Sequence, residues 1–399
     1  MSGFTKLRSA VIEVGLCAEC GACAGVCPSR NLSMNIDTEE PELHGQCPPR
    51  CTACHDVCPG KDIPMLDLDR VTFGRARELG GDEELLGIAR EFLTANAIDP
   101  DIRSAGASGG VVPALLVYAL ENDIIDAALV AGMDEERPWR IVPRIAATRE
   151  EIMAHGKTKL TMVPTDALLG EAYDKGFRRL AVVGCPCHIH ALRKMKLSGK
   201  LKKTLDSIKF CIGLCCGNNC SYQGTEHLVE EVIGVPVDQV AKLWYRAGEY
   251  PGKFTVITRD GRTIAISTIE YIMQCLKFRR DRCAMCYDYS SELADISVGD
   301  YFFPDIKRGD PGVSAVIVRT ETGSQIVEGA RRGNYISTRP LDKTNFFMGG
   351  FETKKHGGAY YLSTRRKWKW PTPDTQLPLH GKPMPRKTST RHPLFTSGE

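Results

Sequence analysis

Eight cysteines are crowded into residues 17–58, more than ordinary hydrophobic packing would call for. The first run is CAECGACAGVCP, with Cys17, Cys20, Cys23 and Cys27 ahead of Pro28. The second is CPPRCTACHDVCP, with Cys47, Cys51, Cys54 and Cys58 ahead of Pro59. The first run has the bacterial-ferredoxin spacing for iron–sulfur ligation. Two-residue gaps let three thiolates converge on one cluster, and the fourth cysteine, ahead of proline, serves the other cluster. The second run repeats the scheme with one residue added in its first gap. The crossover rule assigns Cys17, Cys20, Cys23 and Cys58 to one 4Fe–4S cluster and Cys47, Cys51, Cys54 and Cys27 to another. Zinc ribbons and disulfides are the alternatives. Zinc sites usually use isolated CxxC pairs, and tetrahedral zinc has no need of two Cys-Pro endings. The doubled spacing therefore predicts iron–sulfur chemistry.

At ~150 residues per domain, a chain of 399 residues holds two or three domains. Hydrophobic content of 42% and charged content of 25% are those of a soluble globular protein. A net charge of +3 is too small to argue for nucleic acid. The N-terminal residues have no apolar core of signal-peptide length, and no stretch approaches the ~18 apolar residues of a membrane span. Ligand-like thiols without an export signal predict a reducing cytoplasm, and oxygen-labile clusters an anaerobic setting.

Residues 66–100 read as a charged helical connector, interrupted at Gly80–Gly81. Beyond it, Ser104 to Gly110 form a small-residue turn feeding a helix with apolar positions Val111, Leu115, Val117 and Leu120, followed by a strand over Asp126–Val130. A glycine-rich turn at a helix N-terminus offers N–H groups to a phosphate. This is not the dinucleotide GxGxxG, and tight helix–sheet packing explains the glycines equally well. In HGKTKL, Lys157 and Lys159 either sit on a diphosphate or form a solvated basic loop.

Leu180–Val183 is a strand that ends in Gly184-Cys185-Pro186-Cys187, with a helix from near His188. Such strand–turn–helix junctions are where α/β proteins place ligand contacts. Cys185 and Cys187 are spaced wrongly for a CxxC redox pair, and His188 and His190 read as satisfying local hydrogen bonds. FCIGLCCGNNC is a second strand ending in cysteines, and residues 240–270 form a hairpin turning at Asp260-Gly261. Cys283-x-x-Cys286, strands over Ala294–Gly299 and Ser314–Arg319, and a helix over Ser324–Arg332 follow. From His356 onward, Arg, Lys and Pro with Trp368 and Trp370 read as an extended tail lying on a partner subunit; no groove-reading motif favours nucleic acid.

GASGGVVPALLVYAL, GKTKL, VGCPCHIHALRK, IGLCCGNN, CAMCYDYSSELADISVGD and VSAVIVRT appear in that order. Together they resemble the beta subunits of coenzyme F420-reducing hydrogenases and F420-dependent formate dehydrogenases, a family that also includes the hydroxymethyl-chlorophyll reductases. The resemblance runs from about Cys17 to about Gly333. It implies a flavoprotein subunit of a larger complex with a hydrogenase, formate dehydrogenase or heterodisulfide-reductase-like partner. There, FAD exchanges a hydride with F420, or with NAD(P)H in some members, and single electrons pass through 4Fe–4S clusters. A flavin-free electron-transfer protein is the competing class.

Carried over residue by residue, the family's Gly-Thr-Pro-Cys falls on Cys187, its Gly-Leu-Phe-Cys on Cys216, and its CxxC on Cys283 and Cys286. These imply a third 4Fe–4S cluster, next to the flavin. The chain departs from the pattern with Cys185 in place of Thr and Cys215 in place of Phe; Cys211, Cys220 and Cys275 are additional. These five read as buried thiols. For FAD, the matched positions are Gly106, Ser108, Gly109 and Gly110, with Lys157 and Lys159, while Gly299 and Asp300 border the flavin. Hydride transfer between stacked rings asks for distance control more than for an acid or base, so no general base is assigned. The expected fold is α+β: a ferredoxin-like module with two 4Fe–4S clusters (1–65), the helical connector (66–100), a mixed α/β FAD-binding domain (101–355) and an extended basic tail (356–399).

Overall fold

The computed structural model describes residues 2–301, 312–343 and 351–378. The chain opens with helix Gly3–Leu7, and the Gly3 N–H donates to the Cys51 carbonyl at 2.9 Å, which seats the helix on the second cysteine run. Each run carries one short helix, Ala22–Gly25 or Ala53–Asp56. Between them in sequence lies an antiparallel pair, β1 (Leu32–Asn35) and β2 (Glu40–Leu43). A short strand, β3 (Asp62–Ile63), then leads into helix Met65–Phe73.

The main sheet begins with β4 (Glu91–Ala97), β5 (Ala127–Met133), β6 (Ile141–Ala146), β7 (Leu180–Gly184) and β8 (Ile208–Leu214). A separate antiparallel sheet follows, made of β9 (Val240–Ala247), β10 (Lys253–Thr258) and β11 (Thr263–Ser267). The chain then returns to the main sheet with β12 (Ile296–Asp300), β13 (Ser314–Val318) and β14 (Ile336–Pro340). The spatial order is β14-β4-β13-β12-β8-β7-β5-β6. The four strands β12, β8, β7 and β5 run parallel, with antiparallel neighbours on both flanks. Strands such as LAVVG and SAVIV are apolar along their whole length because the inner sheet is covered on both faces.

On one face, helices Val111–Glu121 and Glu321–Arg332 set Leu115, Leu116, Ile326 and Val327 against Ile212 and Val316. On the other, helix Pro186–Leu197 packs Ile189, Leu192 and Met195 into one core with Leu7, Val11, Leu16 and Leu68. Each fully buried Leu or Ile of that kind stabilises by about 1.5–3 kcal/mol. The cysteine-rich segment and the sheet thus share a core.

Two expectations need correction. Within residues 66–100 only Met65–Phe73 and Asp82–Leu86 are helical; Glu91–Ala97 is β4, an interior strand of the main sheet. The segment FLTANA alternates, with Leu93, Ala95 and Ala97 buried, a period of two that the charged helical pattern before it obscured. The tail is not extended from His356: Phe351–Lys367 is a helix, and β15 (Asp374–Thr375) pairs in parallel with β3. Its Arg365 finds a partner inside the chain, Asp281 at 2.9 Å, as does Lys355 just before the tail, paired with Glu292 at 2.6 Å. Trp368 and Trp370 are exposed, and residues 379–399 of the expected tail lie outside the described residues.

Candidate functional site

Parallel strands collect ligands at their C-terminal ends, and there the structure has its main cavity, of about 440 Å³. Sites for small molecules and cofactors usually measure roughly 300–1,000 Å³. Gly184-Cys185 after β7, Cys215-Cys216 after β8, and Gly299-Asp300 at the end of β12 all reach its wall. So do Gly106, Ser108 and Gly110 of the small-residue turn, and Lys157 and Lys159. Seven of the eight positions expected to contact FAD therefore border one cavity. Gly109 does not: it faces the sheet, where a Cβ would come within 2.5 Å of the Ala95 carbonyl. Gly110 has φ of 69° and precedes helix Val111–Glu121. A Cβ there would stand 2.7 Å from the Arg103 Cα. These two glycines let the turn close onto helix and sheet, which aims the helix N-terminus at the cavity.

The two lysines differ. Lys159 Nζ donates to the carbonyls of His155 and Gly156, and to that of Lys157 at 3.3 Å. Burial pulls it down to about 7, while the three carbonyls favour its charged form. Its ammonium is spent on the loop. Lys157 is half-buried, and its ammonium has no hydrogen-bond partner among the described residues. Burial and the Lys242 charge pull it below the usual lysine range. Arg246 on β9 adds a cation to the wall. It is paired with Asp300, donates from Nε to the Pro251 carbonyl at 2.6 Å, and keeps a buried Nη2 with no partner. An unpartnered guanidinium nitrogen, a free ammonium and a helix N-terminus make a wall that fits an anionic ligand such as a dinucleotide.

None of the seventeen cysteines is in a disulfide. A second, small cavity is lined by Cys17, Cys20, Cys23 and Cys58 and by no other cysteine, which is the crossover set. Burial and the neighbouring Cys58 push Cys17 up to about 12. Cys54 is likewise pushed up to about 12, by burial and then by Cys47, with Cys51 and Cys27 also near. Cys187 is raised by burial and by the charges of Cys216, Cys283 and Cys286. The sets adjoin one another. Cys20 feels Cys187, and Cys23 feels Cys54. Among the described residues no three His, Cys, Asp or Glu side chains converge as ligands of a single metal ion; four irons at the corners of a cube would spread the thiolates more widely than one ion does.

Of the remaining five thiols, all expected to be buried, only Cys211, Cys220 and Cys275 are; Cys185 and Cys215 are half-buried, and with Cys220 and Cys275 they line the large cavity. Burial pushes Cys211, in the core, up to about 12. Cys220 and Cys275 are buried neighbours, and Cys275 and burial both push the Cys220 thiol up. Cys215 Sγ would lie 2.5 Å from a Cβ on Gly299, so glycine is required there. Cys185 accepts from Asn219 Nδ2 at 3.6 Å, and the same nitrogen donates to Cys216 Sγ at 3.4 Å. His188 is bonded to the Val163 carbonyl at 2.7 Å and His190 to Asp288 at 2.8 Å, so both rings are hydrogen-bonded as expected, though to partners distant in sequence rather than local ones.

Family profiles match residues 92–170, as the coenzyme F420 hydrogenase/dehydrogenase beta subunit N-term, and 177–344, as its C terminus. The chain belongs to the family of coenzyme F420 hydrogenase/dehydrogenase beta subunits. The family's coenzyme F420 hydrogenase subunit beta from Methanothermobacter thermautotrophicus is 30% identical over 72% of this chain and 99% of its own length. The protein of the same description from Methanosarcina barkeri is 31% identical over 66% of this chain and 86% of its own length. A chain in the F420-reducing [NiFe] hydrogenase complex from Methanosarcina barkeri superposes with a TM-score of 0.60 at 28% identity, covering 71% of this chain and 94% of that one.

Sequence reading missed Arg246, Asn219, Arg282 and Lys354. Arg246 sits on a strand of a separate sheet, where nothing local marks it. Asn219 is three residues past Cys216, and Arg282 directly precedes Cys283, so both were findable as neighbours of expected ligands. Lys354 donates to the Cys283 carbonyl at 2.8 Å from the first turn of a helix whose remainder, from His356, the sequence reading takes as extended tail.

Proposed function

We propose that this chain is the beta-type subunit of an oxidoreductase complex, exchanging a hydride between coenzyme F420 and a bound FAD and relaying single electrons through three 4Fe–4S clusters to a partner subunit. One observation carries the reading: Cys216 stands on the wall of the cavity, and from its set the thiols run through the Cys17/Cys20/Cys23/Cys58 set to the Cys27/Cys47/Cys51/Cys54 set. A flavin, when bound, supplies the conversion of a two-electron hydride into single electrons. The chain's own residues do the rest. Lys157 and the N–H groups at the start of helix Val111–Glu121 hold the diphosphate, with Lys159 fixing the loop that carries Lys157. Arg246, braced by Asp300, supplies a second cation. Asn219 hydrogen-bonds the Cys216 sulfur, a contact that tunes a cluster ligand. The apolar wall excludes water from the transferring hydride.

The test is anaerobic purification followed by metal and flavin analysis. About twelve irons per chain, three clusters of four, and one FAD that bleaches on adding reduced F420 are expected. Iron near eight would remove the third set, zinc without iron would end the cluster reading, and a flavin bleached by NADPH but not by reduced F420 would change the hydride partner.

A further inference from the structure

Arg282 is 3% exposed, and helix Asp281–Ala284 places it directly before Cys283. Its guanidinium crosses to the N-terminal segment, where Nη2 donates to the Pro59 carbonyl at 3.3 Å, one residue beyond Cys58. Its Nε is buried without a hydrogen-bond partner, and among the described residues no carboxylate pairs with it. Its neighbours differ in this respect: Arg280 is paired with Glu19 and Glu39, and Lys194 with Asp62. A buried guanidinium with no anion beside it is strongly unfavourable. Besides the buried Tyr287 phenol, the groups that sense the Arg282 charge are thiols of two different sets, Cys58 on one side and Cys187 and Cys286 on the other.

A 4Fe–4S cluster on four thiolates is a net anion and becomes more negative on reduction. Two such anions would supply the charge that Arg282 lacks. We propose that Arg282 is the shared counter-ion of the Cys187/Cys216/Cys283/Cys286 cluster and the Cys17/Cys20/Cys23/Cys58 cluster, and that it raises the reduction potentials of both. The inference rests on the iron–sulfur reading of those two sets. In a low-dielectric interior a fixed positive charge favours the reduced form of any cluster within reach. Placed between donor and acceptor, Arg282 acts on both, so it favours entry of an electron into the relay without trapping it at one end. Lys354 supplies the contrast: its charge meets Cys216, Cys283 and Cys286, all of a single set.

Anaerobic redox titrations of the holoprotein, followed by electron paramagnetic resonance, test this. Arg282→Gln at full iron content is expected to lower the potentials of both clusters while leaving that of the Cys27/Cys47/Cys51/Cys54 cluster in place. Arg282→Lys should restore most of the shift, and Lys354→Met should lower only the cavity-side potential. Unmoved potentials in Arg282→Gln, or a shift confined to one cluster, would overturn the proposal. Should the Gln variant assemble less iron than the parent, Arg282→Lys decides: both potentials near those of the parent support the shared charge, and a fall in one alone defeats it. A parent protein with no iron–sulfur signal on reduction would instead defeat the reading of the thiol sets.

Discussion

Lys157 and Lys159 are two residues apart and chemically alike, yet only one is free to meet a ligand. Lys157 has φ of 65°, and that turn gathers the carbonyls of residues 155–157 around the Lys159 ammonium. The motif GKTKL announced two cations; which of them is free to meet a ligand in the cavity depends on a left-handed backbone residue that no side-chain pattern declares. Different outcomes are expected on mutation. Lys157→Ala removes a charge-assisted contact worth about 1.5–3 kcal/mol, so FAD should dissociate roughly 10–100-fold more readily in equilibrium dialysis, with unfolding unchanged. Lys159→Ala strands buried carbonyls at about 1–3 kcal/mol and should lower the denaturant midpoint as well. Equal flavin retention in Lys157→Ala and the parent would show that this ammonium contacts no diphosphate.

Among the elements, the junction-forming strands β7, β8 and β12 were legible, because mostly apolar runs ending in Gly184-Cys185, Leu214-Cys215 or Gly299-Asp300 state both burial and exit. Strand β4 and helix Phe351–Lys367 were not legible, since their placement depends on distant partners. The helix is held through Lys355 to Glu292, which also takes Arg77, itself bonded to Asp69 at 2.7 Å. Asp69 comes from the helix after the cysteine runs and Glu292 from the segment after Cys286, so three distant pieces of chain meet on one buried carboxylate. Glu292→Ala leaves the buried Lys355 without a carboxylate and Arg77 with Asp69 alone, and should cost about 3–5 kcal/mol in chemical unfolding. Adding Lys355→Met should recover part of that loss, whereas a loss below ~1 kcal/mol would mean that water or rearrangement replaces the carboxylate.

For the whole molecule, the grouping of Cys17, Cys20, Cys23 with Cys58 around one small cavity was readable from cysteine spacing alone. The shared core was not readable, and it changes how the relay must be tested. Deleting residues 1–65 would strip Leu7, Val11 and Leu16 from Ile189, Leu192 and Met195 and remove the partner of β15, so truncation would unfold what it was meant to isolate. Paired substitution of Cys51 and Cys54 by Ser is the cleaner cut. It should leave flavin reduction and transfer to a small artificial acceptor intact, and abolish electron delivery to the partner subunit. A variant lacking that cluster that still reduced its partner at the parent rate would take the N-terminal cysteines off the path.

The Cys17/Cys20/Cys23/Cys58 set is embedded among buried neighbours such as Leu16, Ala18, Ala22 and Ala24, while residues 44–46 and 48–50, on either side of Cys47, are exposed. Oxygen arriving from solvent therefore meets the outermost thiolates first. If the set containing Cys47 is the partner-side end of the proposed relay, damage would begin there and travel inward, so a partly spoiled molecule would still accept reducing equivalents while having nowhere to send them. A carrier built in this order fails like a line cut at its far socket: charged, intact at the source and disconnected from its load.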